Sequence, residues 1–139
     1  MYLITGGNGQ LGTELRHLLD ETGVTYVSTD SQEMDITDAK ATMTKIQEIK
    51  PKVIFHCAAY TAVDQAEDEG KMLDEKINVE GTRNVAQAAK AVGATLVYIS
   101  TDYVFDGTKK VGEYRVDDPV NPQNEYGRTK LLGEQAVQI

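Results

Sequence analysis

Four short apolar runs punctuate this chain, and a helical pattern follows each of them. "MYLIT" (1–5), "VTYVST" (24–29), "KVIFHCAA" (52–59) and "TLVYIST" (95–101) read as strands that are apolar or β-branched along their length rather than alternating. Strands of that kind are buried on both faces, which is the condition of a parallel sheet covered by helices on each side. The intervening segments supply the helices. "LGTELRHLL" places Leu11, Leu15, Leu18 and Leu19 on one helical face and stops at Gly23. A second helix starts near Thr37 and ends before Pro51, a long helical pattern covers roughly 71 to 91 and stops at Gly93, and a last helix begins near Asn124 or Glu125. The fold class is α/β, a Rossmann-like doubly wound parallel sheet. No internal repeat, low-complexity tract or linker interrupts it, so residues 1–139 read as one domain.

Three glycines, Gly6, Gly9 and Gly12, crowd the first strand-to-helix turn in "TGGNGQLG". A glycine cluster there has a backbone reason: amide groups and a helix N-terminus together hold a pyrophosphate without a lysine. Gly6 would permit the tight turn, Gly9 the close approach of a phosphate, and Gly12 the packing of helix on strand. The spacing is G-x-x-G-x-x-G rather than the commoner G-x-G-x-x-G, and glycines also make ordinary turns. Asp30 ends the second strand 18 residues after Gly12, where an acid can accept from an adenosine ribose hydroxyl. It serves equally well as a turn residue. No arginine or lysine adjoins it in sequence to meet a 2′-phosphate, which favours NAD(H) over NADP(H) on the residues alone.

"STDYVFDG" (100–107) and "NEYGRTK" (124–130) form a second constellation. Tyr126 and Lys130, four apart, share one helix face, so the ammonium is expected to lower the pKa of the phenol and let it exchange a proton with a carbonyl or alcohol oxygen. Thr101, at the carboxyl end of the fourth strand, could hold that oxygen. A solvated helix face gives the same Tyr-x-x-x-Lys spacing; the order of glycine turn, strand-end hydroxyl and Tyr–Lys helix is what argues for chemistry.

Charge and composition narrow the partners. The 22 acidic and 14 basic residues leave a net charge of -8, which argues against nucleic acid or an anionic membrane. A single cysteine, Cys57, suits a reducing compartment and excludes an internal disulfide or Cys-rich zinc site. The N-terminal apolar run gives way to glycines at once, unlike a signal peptide, so the cytoplasm is the expected location. "DQAEDEG" lacks the glycine and spacing of a calcium loop, and no metal site is expected. His56 and Cys57 close an apolar strand and read as packed; His17 reads as a surface residue.

Taken in order, these motifs resemble the short-chain dehydrogenase/reductase superfamily, in its extended, sugar-nucleotide branch. "TGGNGQLG", "CAAYTAVDQAE", "INVEGTRNVAQAA", "STDYVFDG" and "NEYGRTKLLGE" resemble the signatures of the dTDP-4-dehydrorhamnose reductase family across nearly the whole chain. The resemblance implies NADPH or NADH as cofactor and hydride transfer to C4 of a dTDP-4-keto sugar. Thr101, Tyr126 and Lys130 are the implied catalytic set, with Tyr126 protonating the nascent alkoxide and Lys130 also bonding the nicotinamide ribose. It further assigns Gly6, Gly9, Gln10, Leu11 and Gly12 to the pyrophosphate and Asp35 and Ile36 to the adenine border. Ala58, Ala59 and Tyr60 would pass under the cofactor, while Thr61 and Val63 would face the sugar. Proteins resembling these reductases also serve as noncatalytic partners, including the β subunit of methionine adenosyltransferase, and other sugar-nucleotide reductases and epimerases share the cofactor half.

Family members continue beyond the Tyr–Lys helix into further strands and a smaller substrate domain, whereas this sequence stops at Ile139. The expected sheet order is 3-2-1-4, with an open edge on the fourth strand that invites self-association as a homodimer. Cofactor binding, rather than turnover by this chain alone, is the expectation.

Overall fold

A computed structural model of the chain describes residues 1–59, 61, 63–107, 112–115 and 118–138, without the side chains of Val63, Asp64 and Asp102. Strand β1 (Tyr2–Thr5) leads through helix α1 (Gln10–Glu21) to β2 (Tyr26–Thr29), then through α2 (Ala39–Ile49) to β3 (Val53–His56). A short helix α3 (Val63–Ala66) precedes α4 (Lys71–Glu75), which runs through a π-helical turn (Lys76–Gly81) into α5 (Thr82–Val92). Strand β4 (Thr95–Tyr98), a 3-10 turn (Asp102–Val104) and α6 (Glu125–Gln138) complete the described elements.

All strand pairs are parallel, and the order is β2-β1-β3-β4. This corrects the expected 3-2-1-4. The expected third strand, within 52–59, pairs with β1 rather than β2, and residues 31–37 after β2 are folded into turns by Asp30 and Asp35, whose carboxylates accept the Gln32, Glu33 and Thr37 amides. The chain therefore crosses back over β1 before forming its next strand. Right-handed crossovers in opposite directions along the sheet put α1 and α2 on opposite faces, and α2 packs on α5.

The main core lies between the sheet and the α2–α5 layer, where Leu3, Ile36, Ile46, Ile54 and Val85 are buried together. Helix α2 starts at Ala39, close to the expected Thr37, because the Asp38 side chain caps it by accepting the Ala41 amide at 3.0 Å. On the opposite face the four-leucine stripe is only partly used. Leu19 is buried, but Leu11 and Leu18 are 47% and 54% exposed, as are Val97 and Ile99 near the β4 edge at 37% and 38%. One helix cannot cover that face of four strands.

Register aligns the functional edge. Thr5 pairs with Thr29 on one side and His56 on the other, and His56 pairs with Tyr98. The residues that follow each strand, from Gly6 and Asp30 to Cys57 and Ile99, consequently gather at one carboxyl edge.

Candidate functional site

The glycine turn is built from the backbone. Gly6 has φ +63°, and a Cβ there would lie 2.6 Å from the Ala58 amide nitrogen, so both conformation and space require glycine. A Cβ on Gly12 would meet the Gly6 carbonyl, which lets α1 begin directly against the turn. Gly9 differs: its φ is -75°, and a Cβ would touch only the Gly6 oxygen, at 3.4 Å. Its face is open, and no side chain caps α1 there, leaving the first-turn amides available to an anion. Gly7, which the motif reading passed over, abuts Ser28 of β2.

Two clefts meet at this turn. The first, of about 590 Å³, is lined by Gly6, Gly9, Asp30, Asp35, Ile36, Ala58 and Ala59. The second, of about 530 Å³, is lined by Gly9, Gln10, Leu11, Gly12, Thr61, Tyr126 and Lys130. Gly9, Cys57 and Ala59 belong to both, so the clefts form one groove across the strand ends. Asp30 is a turn residue on the cleft wall: one oxygen accepts the Gln32 and Glu33 amides while the other accepts Asn8 Nδ2 at 3.0 Å, tying the glycine turn to β2. Thr37 donates its amide and hydroxyl to Asp35 and holds that carboxyl below its ordinary range. Ile36 is mainly a core residue, packed where a Gly81 Cβ would otherwise stand. Lys76, distant in sequence, brings a cation into the first cleft that the neighbours of Asp30 do not show.

At the other end, Thr101 is not among the second cleft's lining residues. Its Oγ1 accepts the Tyr103 amide at 3.3 Å, and Ile99 and Ser100 line the cleft instead. Tyr60 lies outside the described residues, as does the Val63 side chain.

Tyr126 and Lys130 share the cleft, but the expected lowering of the phenol is not what the structure gives. Burial raises Tyr126 above its ordinary value, and Asp74 and Tyr103 raise it further. The physical reason lies in where the ammonium sits, 4.6 Å from the centre of the Tyr98 ring. Lys130 is 4% exposed, and burial brings its pKa down to about 8, with Asp74 and Cys57 acting in the other direction. Behind α6, Asp74 accepts from Asn78 and Thr129, a buried cluster that motif reading missed. The i,i+4 spacing of Asp74 and Asn78 is visible in the sequence; their partner, 51 residues beyond Asn78, is not.

Parallel strands, an uncapped glycine turn and a Tyr-x-x-x-Lys helix on one edge define a Rossmann-like fold of the short-chain dehydrogenase/reductase type. The chain belongs to the family described as the RmlD substrate binding domain, whose model matches residues 1–139. A dTDP-4-dehydrorhamnose reductase from Streptomyces griseus is 46% identical over 136 residues, covering 98% of this chain and 44% of that protein. The crystal structure of a dTDP-4-dehydrorhamnose reductase from Clostridium acetobutylicum superposes with a TM-score of 0.94 at 50% identity, over 99% of this chain and 48% of that one. The Bacillus anthracis enzyme, solved in complex with NADP, gives 0.90 at 46% identity over 99% and 48%. The methionine adenosyltransferase 2 subunit beta of Xenopus tropicalis is 40% identical over 97% of this chain and 42% of its own length. The chain spans about half the length of the relatives it matches.

Proposed function

We propose that this chain is a single NAD(P)-binding domain, the cofactor half of a reductase acting on C4 of dTDP-4-dehydro-6-deoxy-L-mannose to give dTDP-L-rhamnose. The observation that carries the reading is the continuous groove: one cleft at Asp30 and Asp35, one at Tyr126 and Lys130, joined at a glycine whose open face adjoins a helix N-terminus. Two nucleoside-sized spaces bridged by an anion site fit a dinucleotide. In this reading, Gly9 and the α1 amides hold the pyrophosphate, Asp30 accepts from the adenosine ribose, and Asp35 and Ile36 border the adenine. Ala58 and Ala59 pass under the cofactor and Thr61, in the second cleft, faces the sugar; for Val63 and Thr101 that role rests on the family resemblance. A reduced nicotinamide supplies hydride when bound. Tyr126, whose raised pKa keeps its proton at neutral pH, then protonates the sugar oxygen, a far stronger base once hydride has added. Lys130, still largely charged at pH 7, steadies the phenolate left behind.

Titrating the chain with NADH or NADPH and following nicotinamide fluorescence tests this directly; no saturable binding at millimolar cofactor overturns it. Gly9→Val should weaken binding about tenfold or more while leaving the fold intact, since its Cβ has room in the protein alone. For the chemistry, Tyr126→Phe, with this chain joined to the C-terminal half of a longer relative, should cut turnover of the keto sugar about 100-fold or more and spare cofactor affinity. Retained turnover removes Tyr126 as proton donor. The Xenopus relative supports a second reading, a dinucleotide-binding regulatory subunit. Cofactor binding without reduction in that joined protein favours it.

A further inference from the structure

The least expected group behind the site is a carboxyl with no solvent at all. Asp74, on α4, is 0% exposed. Both of its oxygens lie 2.9 Å from Thr129 Oγ1 and share its single proton, and Oδ1 also accepts Asn78 Nδ2 at 2.7 Å. Thr129 precedes Lys130 directly, and its Oγ1 lies 3.1 Å from the Tyr126 carbonyl. The cluster therefore grips the one turn of α6 that carries both side chains of the second cleft.

We propose that Asp74 is the positioning residue of the Tyr126–Lys130 pair, its buried carboxylate fixing that turn of α6 through Thr129 and lending a negative charge to the Lys130 ammonium. The proposal rests on the reading of Tyr126 and Lys130 as a proton-transfer pair. A buried carboxylate is a costly way to join two helices, because apolar side chains of similar size do so without the desolvation penalty. What it adds is charge. The groups that bear on it from α6 are Glu125, Tyr126, Arg128 and Lys130; Lys71 and Glu75, on its own helical stretch, act on Glu125 and Arg128 instead. Cys57 and His56 flank Lys130 from the end of β3. Arg128 is engaged by Glu125 at 2.8 Å and by Glu75 at 3.5 Å. Lys130 forms no such ion pair among the described residues, so Asp74 is the acid left to balance it. Asp74 draws Lys130 upward against burial and pushes Tyr126 higher, while burial raises the Asp74 carboxyl itself and the Thr129 and Asn78 hydrogen bonds oppose that rise.

Competitive acetylation of Lys130 with trace acetic anhydride across pH, read by peptide mass spectrometry, measures this without turnover or cofactor. A chain that fails as a reductase still answers. In the unaltered protein the midpoint should fall near about 8. Asp74→Asn should lower it by about half a unit or more, and Thr129→Val, which keeps the carboxylate, should shift it less. An unchanged midpoint in a folded Asp74→Asn protein overturns the proposal. Because the new amide would face Asn78 Nδ2, a second measurement guards against misfolding: carbon-13 NMR of the unaltered protein labelled at Asp carboxyls. An ionised Asp74 at pH 7.5 supports the proposal, and a carboxyl still protonated there overturns it.

Discussion

His56 ends β3 with its ring between two hydroxyls, Thr5 Oγ1 at 2.8 Å and Thr82 Oγ1 at 3.0 Å. Neutral imidazole has one donor and one acceptor, and two hydroxyls satisfy both in either tautomer. Burial first, and the Lys130 ammonium with it, lowers its pKa from 6.5 to about 3. The unfolded chain therefore binds a proton that the folded one refuses as pH falls below 6.5. Stability should be full above that value and decline by about 1.4 kcal/mol per pH unit below it, down to the folded value. Urea unfolding at pH 7 and pH 5 should show His56→Gln losing about 2 kcal/mol less than the unaltered protein across that interval; equal losses sink the account. The packed reading of His56 was legible in the sequence, since an apolar strand surrounds it. The hydroxyls and Asp74 were not, because their partners arrive from other elements, and neither was the direction of the Tyr126 shift. Helical spacing brings Lys130 to the same face as Tyr126 but says nothing of the Tyr98 ring that receives its ammonium.

Element types were legible because period and punctuation agree: apolar runs without alternation for strands, Gly23 and Gly93 at helix ends. The sheet order was not. Nothing in a strand's own residues says which neighbour it pairs; β3 lies between β1 and β4, with α2 packed on α5, contacts between segments far apart in sequence. The end of α2 carries a different strain. Lys50 is left-handed, at φ 50° and ψ 56°, and its amide still closes on Ile46 O at 2.8 Å. Left-handed backbone costs an L-residue about 1 kcal/mol, part of which glycine returns as extra freedom of the unfolded chain. Lys50→Gly should therefore stabilise by about 0.5 kcal/mol and raise Tm by about 2 °C, with Lys50→Ala showing no gain. Calorimetry distinguishes the two, and a lower Tm for the glycine variant would contradict the argument.

The whole molecule carries a net charge of -8, yet the proposed ligand is an anion. Local charge does not reverse this. Among the described residues, three acids, Asp30, Asp35 and Glu14, line the two clefts against two lysines, Lys76 and Lys130. In the proposed complex a diphosphate is attracted by the α1 terminus, whose amide contacts act at hydrogen-bond range, whereas the repulsion from the rest of the surface extends over a Debye length. That length shrinks from about 30 Å at 10 mM salt to about 8 Å at 150 mM. Added salt should screen the long-range repulsion more than the contact attraction. The association rate for NADPH should then rise about twofold or more between those concentrations, and more than it does for the less charged NADH. Stopped-flow fluorescence quenching measures both rates. A rate that falls steeply with salt would mean that cations at the groove, not backbone amides at the first crossover, draw the cofactor in, and the role assigned to the glycine turn would then have to be given to Lys76 and Lys130.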